Sequence, residues 1–285
     1  MMPSPLPLPP MQLGDHVLEW GTRTFVMGII NTTPDSFSGD GLAGSVEAAV
    51  AQAERMIREG ADILDVGGES TRPGAEPVPE DEELRRTAPV VAAMSRLGVP
   101  VSIDTRRAAV ADAALSAGAS LINDVTALSE EPDMVSVALR HEAGICLMHM
   151  RGEPRTMQDA PEYDDVVRGV ADYLRQRAEV LADAGIPYQR MLVDPGIGFG
   201  KTLDHNLDLM NNLDVIRERC KLPVLVGPSR KSFIGRVLDL PVEQRIFGTA
   251  AAVAVAVARG ADVVRVHDVA EIAQTARLAD AIVRR

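Results

Sequence analysis

RGADVVRVHDVA, residues 259–270, decides how this chain folds. A glycine closes a helix-compatible segment, in the place where a left-handed backbone ends a helix. A short apolar, β-branched run follows, of the kind buried on both faces of a parallel sheet. Polar residues then gather at its end. The same phrase returns in EGADILDVGGES (59–70) and AGASLINDVTAL (117–128), with variants in LGVPVSIDTR (97–106), EAGICLMHMR (142–151) and AGIPYQRMLVDPG (184–196).

Working outward from these gives eight strands: 25–30, 63–66, 99–103, 121–124, 145–149, 191–194, 223–227 and 263–267, each followed by a helix-compatible segment. Polar groups end all eight. An open sheet would spread those ends over about 33 Å at roughly 4.8 Å per strand, whereas a closed barrel gathers them at one mouth. The expectation is therefore an α/β protein, a (β/α)8 TIM barrel, forming one domain over residues 11–285. Residues 11–24 are expected to be a short N-terminal hairpin or plug, and MMPSPLPLPP (1–10) a disordered tail.

The 285 residues, 46% hydrophobic and 25% charged, suffice to bury a large core without disulfides or metal staples. A net charge of −12 argues against nucleic acid or an anionic membrane as partner. Aromatics at 3% leave little for a base-stacking platform. An anionic ligand would need a local basic pocket. Two cysteines make no zinc framework, and Cys146 reads as a core thiol. The apolar run AAAVAVAVA (250–258) is too short to span a bilayer, and the start lacks a basic signal region, so a cytoplasmic location is expected.

The strand ends carry the chemistry. NTTPDSFSGDG (31–41) reads either as a turn or as an active-site loop. GGESTRPGA (67–75) carries Arg72, a solvated side chain or a clamp for phosphate or carboxylate. Of Asn123 and Asp124, one could serve as a cap. GIGFGKT (196–202) fails as a phosphate loop because Pro195 stands where glycine is required, so its glycines are expected to let backbone approach a ring-shaped ligand. Arg230 and Lys231 sit where the helix dipole disfavours cations, a broken local rule that points to function. Arg265 and His267, two apart, project from one strand face and suggest an anion site. His149 reads as structural.

Taken together, MGIINTTPDSFSGDG, DVGGESTRPGA, SIDTRR, LINDV, LMHMRG, DPGIGFGK, VGPSRKSFIG and RVHDV resemble the dihydropteroate synthases of the pterin-binding family, over roughly residues 20–280. The resemblance implies a barrel enzyme of folate biosynthesis. It would join 6-hydroxymethyl-7,8-dihydropterin pyrophosphate to p-aminobenzoate, releasing pyrophosphate. Carried over by position, Asp104, Asn123, Asp194 and Lys231 form the pterin set, with Met148 packed on the ring. Asn31, Arg72, Arg265 and His267 form the pyrophosphate set, Asn31 lying near a Mg²⁺. Thr71, Pro73, Phe199, Lys231 and Ser232 shape the p-aminobenzoate site. The resemblance also implies a homodimer. The family usually reads Ser-Asp-Gly-Gly in the first loop, where this chain has Ser38-Gly39-Asp40-Gly41, leaving Asp35 and Asp40 as alternative loop carboxylates.

Two rivals share the barrel and pocket: a methyltetrahydrofolate-corrinoid methyltransferase and a non-catalytic pterin-binding paralogue. The first has no use for a pyrophosphate clamp, and the second should have lost anion-site residues that are present here. A sulfonamide-insensitive form is a sub-hypothesis, since a few side chains at the pocket rim could exclude the drug.

Overall fold

In the computed structural model the residues described are 8–32, 41–69, 78–152, 157 and 161–284, with side chains at 41–45 excepted. The barrel strands are β3 (Phe25–Asn31), β4 (Ile63–Gly67), β5 (Val101–Asp104), β6 (Leu121–Asp124), β7 (Gly144–Met148), β8 (Met191–Asp194), β9 (Leu225–Val226) and β10 (Val263–Val266). They form one parallel sheet in the order β8-β7-β6-β5-β4-β3-β10-β9. A parallel bridge between Val193 and Val224 joins its two edges and closes the barrel. The helices between are α1 (Gly41–Glu59), α2 (Glu80–Met94), α3 (Ala108–Ser116), α4 (Met134–Arg140), α5 (Val166–Asp183), α6 (Leu203–Asn211), α7 (Leu213–Cys220), α8 (Ser232–Leu238), α9 (Ile246–Ala258) and α10 (Val269–Val283).

The repeat read from the sequence has its expected cause. Gly60, Gly98, Gly118, Gly185 and Gly260 all take positive φ just before a strand. Two units differ: Glu142 and Lys221, not glycines, adopt the left-handed conformation there.

Strand alternation sorts the side chains into two cores. Val26, Ile30, Leu64, Val66, Ile103, Ile122, Ile145, Leu147, Val193 and Val264 face the helices, inside the larger cluster. Met27, Ile63, Leu121, Cys146, Leu192, Leu225 and Val263 face inward and fill the lower barrel. The expected N-terminal hairpin is present as β1 (Met11–Leu13) and β2 (His16–Leu18), paired antiparallel. Its Met11, Leu13 and Leu18, with Trp20, pack onto that inner cluster and plug the bottom. Leu8 packs there too, while residues 1–7 of the expected tail lie outside those described.

The seventh barrel strand is shorter than the 223–227 expected. Pro223 has no N–H to give the ladder, and the Val224 N–H goes to the Asp262 carboxylate at 2.9 Å. Asp262 is fully buried and also holds Arg217 at 3.0 Å, an ion pair that fixes this closing strand against β10.

Candidate active site

The lower barrel is apolar, but the next inward positions are not. Asp65 on β4 lies level with Ser102 on β5, and above them come Gly67, Asp104 and, across β6, Asn123. Met148 on β7 sits level with Asp194 on β8. Arg265 enters from β10, and Lys231 from the turn that opens α8. Alternation thus turns residues from five barrel strands, β5 to β8 and β10, toward the C-terminal mouth.

Arg265 organises the centre. Its Nε donates to Asp65 Oδ2 and its Nη2 to Asp104 Oδ2, both at 2.5 Å. Burial disfavours its charge, but the two carboxylates outweigh that and hold Arg265 above the ordinary arginine range. Two carboxylates sharing one guanidinium leave Asp104 undercompensated. Burial first raises its pKa, to about 7, with Asp65 adding to the rise and Arg265 opposing it. Asn123 Nδ2 also donates to Asp65 Oδ2, at 3.2 Å.

Asp194 accepts from the Gly196 N–H at 2.7 Å. Burial raises this carboxyl too, against the attraction of Lys231. Burial lowers Lys231 to about 8, moderated by Asp194. The Lys231 ammonium donates to the Ile197 carbonyl and stands 4.8 Å above the Phe199 ring. The mouth therefore presents carboxylate and amide acceptors on one side and a cation over an aromatic ring on the other.

Of the residues named from the sequence, Asp104, Asn123, Met148, Asp194, Lys231 and Arg265 come together at this mouth. Asn31 ends β3, level with Gly67. His267 follows β10, its Nδ1 3.0 Å from the Ser229 hydroxyl. Ser232 is exposed as the first residue of α8. Thr71, Arg72 and Pro73, with Asp35 and Asp40, lie outside the described residues.

Several alternatives resolve. Asp124 faces outward and caps the next turn, accepting from the Thr126 and Leu128 N–H groups at 2.8 and 2.9 Å, which leaves Asn123 for the mouth. Arg230 is not a second free cation: its guanidinium pairs with Asp268, with Nε 2.8 Å from Oδ2. The glycines after Asp194 also have another reason than ring approach. A Cβ on Gly196 would meet the His149 carbonyl oxygen at 2.0 Å, and one on Gly200 the Arg151 carbonyl oxygen at 2.2 Å. His149 is structural, as read: burial and the Lys201 charge lower it to about 3, and it stacks edge-on to Tyr173.

Two residues escaped the sequence reading. Asp65 is fully buried below the mouth; its one signal was an acid inside an apolar strand run. Lys201, 2% exposed, donates to the Phe199 carbonyl at 2.9 Å and approaches His149 Nδ1 at 3.1 Å, and burial lowers it to about 7. It had been passed over as the tail of a failed phosphate loop.

A family model described as pterin binding enzyme matches residues 27–267. A dihydropteroate synthase from Synechocystis is 47% identical over 278 residues, covering 97% of this chain and 96% of its own length. Among solved structures, the Yersinia pestis dihydropteroate synthase with a sulfonamide drug complex superposes with a TM-score of 0.90 at 42% identity, covering 96% of this chain and 99% of that one. The Xanthomonas albilineans dihydropteroate synthase with 4-aminobenzoic acid gives 0.89 at 44% identity, covering 96% and 98%.

Proposed function

The chain belongs to the pterin-binding enzyme family, and from that premise we infer that it is a transferase running the dihydropteroate synthase reaction. It joins 6-hydroxymethyl-7,8-dihydropterin pyrophosphate to p-aminobenzoate, giving 7,8-dihydropteroate and pyrophosphate. The observation that carries this reading is the pairing of buried and half-buried acceptors with a half-buried cation at one barrel mouth. The pterin 2-amino and N3–H edge needs acceptors, which Asp194, Asn123 and Asp104 supply. The 4-oxo and N5 side needs a donor, which Lys231 supplies. Met148, 4% exposed beside Asp194, offers the ring an apolar face.

The reacting centre is the methylene on C6. Its C–O bond breaks with the electron pair going to pyrophosphate, and the electron-rich dihydropterin ring spreads the resulting positive charge. The p-aminobenzoate nitrogen then forms the C–N bond and loses a proton. The protein positions both partners and stabilises the departing anion. Arg265 keeps Nη1 without a partner among the described residues, and together with His267, Arg72 and Asn31 it forms the proposed pyrophosphate set. Phe199, Lys231, Ser232, Thr71 and Pro73 form the p-aminobenzoate side.

Mg²⁺ suits this donor set as a passenger of the pyrophosphate. No cluster of three acidic, His or Cys side chains that could hold a metal exists among the described residues. Mg²⁺ keeps several of its waters and takes few protein ligands beside substrate phosphates, and the Asn31 amide oxygen at the end of β3 would be the protein contact in this reading. When bound, the ion would neutralise charge on the leaving group.

A cytoplasmic homodimer completes the reading. No helix among the described residues is long and apolar enough to cross a membrane. Phe247 is 86% exposed on α9, with Val255 on the same helix, Val237 and Leu238 on α8, and Leu278 and Ile282 on α10 also uncovered. The test of function is complementation of a strain lacking dihydropteroate synthase. Growth without folate end products supports the assignment. Failure by a well-expressed chain contradicts it and favours the methyltransferase or the non-catalytic paralogue.

A further inference from the structure

Asp65 lies in the middle of β4, not at its end, and belongs to none of the proposed ligand sets. It is 0% exposed, and its Oδ1 is buried without a hydrogen-bond partner among the described residues, as is the Ser102 hydroxyl level with it on β5. Its Oδ2 accepts both from Arg265 Nε and from Asn123 Nδ2. One carboxylate therefore ties a residue of the pterin set to a residue of the pyrophosphate set. A buried ion pair is weak evidence for stability, since a whole pair can often be replaced by apolar groups without loss, whereas removing one partner alone is destabilising. Its geometry serves aim. With Nε fixed by Asp65 and Nη2 by Asp104, the guanidinium plane is set by two strands that lie two and three places round the barrel from β10.

We propose that Asp65 is a positioning residue for the transfer reaction: from beneath the mouth it orients Arg265 and Asn123 and leaves Asp104 available to the pterin. The proposal rests on the functional reading above. Without Asp65, Arg265 would turn its whole charge on Asp104. The groups that bear on Asp104 are Arg265 from β10, Asp65 from β4, Asp124 from β6, Glu83 from α2 and Lys231 from the α8 turn. Glu83 is itself held by Arg107 at 2.5 Å and Asp124 by its turn, so Asp65 is the member whose loss most changes the balance.

The test compares wild type with Asp65→Asn and Asp65→Ser, using 6-hydroxymethylpterin as the calorimetric probe, thermal melting, and kcat/KM for the pterin pyrophosphate against pH. The expected result is a folded variant with a lowered melting temperature, because Arg265 then keeps only Asp104 as its carboxylate partner. Its pterin affinity and kcat/KM should each fall by about tenfold or more, the cost of a lost hydrogen bond to a charged group. The acid limb of its pH profile should move to lower pH, because Asp104 then no longer shares Arg265 with a second carboxylate. Unchanged affinity with an unmoved acid limb would overturn the proposal, as would failure of both variants to fold, which would make Asp65 a folding residue. Wild type that does not bind the pterin would overturn the underlying site reading. Wild-type binding beside an unaffected variant would remove the proposal alone.

Discussion

Lys231 sets the pH behaviour of the mouth. In the proposed site its charge strengthens the hydrogen bond to the pterin carbonyl, yet burial has lowered it from the usual lysine range to about 8. As pH rises through that value, the free enzyme loses the ammonium and with it the charge-assisted donor. The expected outcome is a basic limb in kcat/KM near pH 8, with Lys231→Met lowering kcat/KM and erasing that limb. A wild-type profile flat to pH 10 would remove Lys231 from the pocket. Single residues also mark where the sequence could be read and where it could not. Asp104, Asp194 and Arg265 were legible because a polar residue ending a buried run advertises itself. Asp65 and Lys201 were not, because their meaning lies in partners far along the chain: Asp65 meets Asn123 58 residues away and Arg265 200 away, and Lys201 meets His149 52 away.

At the scale of elements, the helix-turn-strand phrase gave the eight strands and the helix ends, while closure into a barrel came from the polar groups that end every strand and the hairpin plug was expected only as the cover of that barrel's bottom. What stayed hidden was set by competition for backbone groups. Asp262 takes the Val224 N–H and shortens β9, and the carbonyls of His149 and Arg151 leave no room for a Cβ at Gly196 and Gly200. The hairpin has its own testable weight. Leu13 is 1% exposed on the inner cluster, and a Cβ on Gly144 would meet its Cδ2 at 2.5 Å, so the fit beneath the barrel is close. Leu13→Ala should cost about 2–5 kcal/mol of unfolding free energy by leaving a cavity there. Denaturant unfolding would measure it, and pterin affinity should be unchanged because the plug lies at the opposite end from the mouth.

At the scale of the whole molecule, one end of the barrel is stability and the other is chemistry, as the fold dictates. The uncovered apolar side chains of α8, α9 and α10 are where the proposed second copy would pack. Wild type is expected to sediment as a dimer at micromolar concentration and Phe247→Asp to shift toward monomer, and wild type that runs only as monomer would refute the dimer. The central claim is that the mouth holds a dihydropterin and exchanges its pyrophosphate for an arylamine. The direct measurement incubates the purified chain with 6-hydroxymethyl-7,8-dihydropterin pyrophosphate, p-aminobenzoate and Mg²⁺, and follows both products. The account predicts dihydropteroate and pyrophosphate in equal amounts, with Lys231→Met nearly inactive. Pterin binding without either product would contradict it.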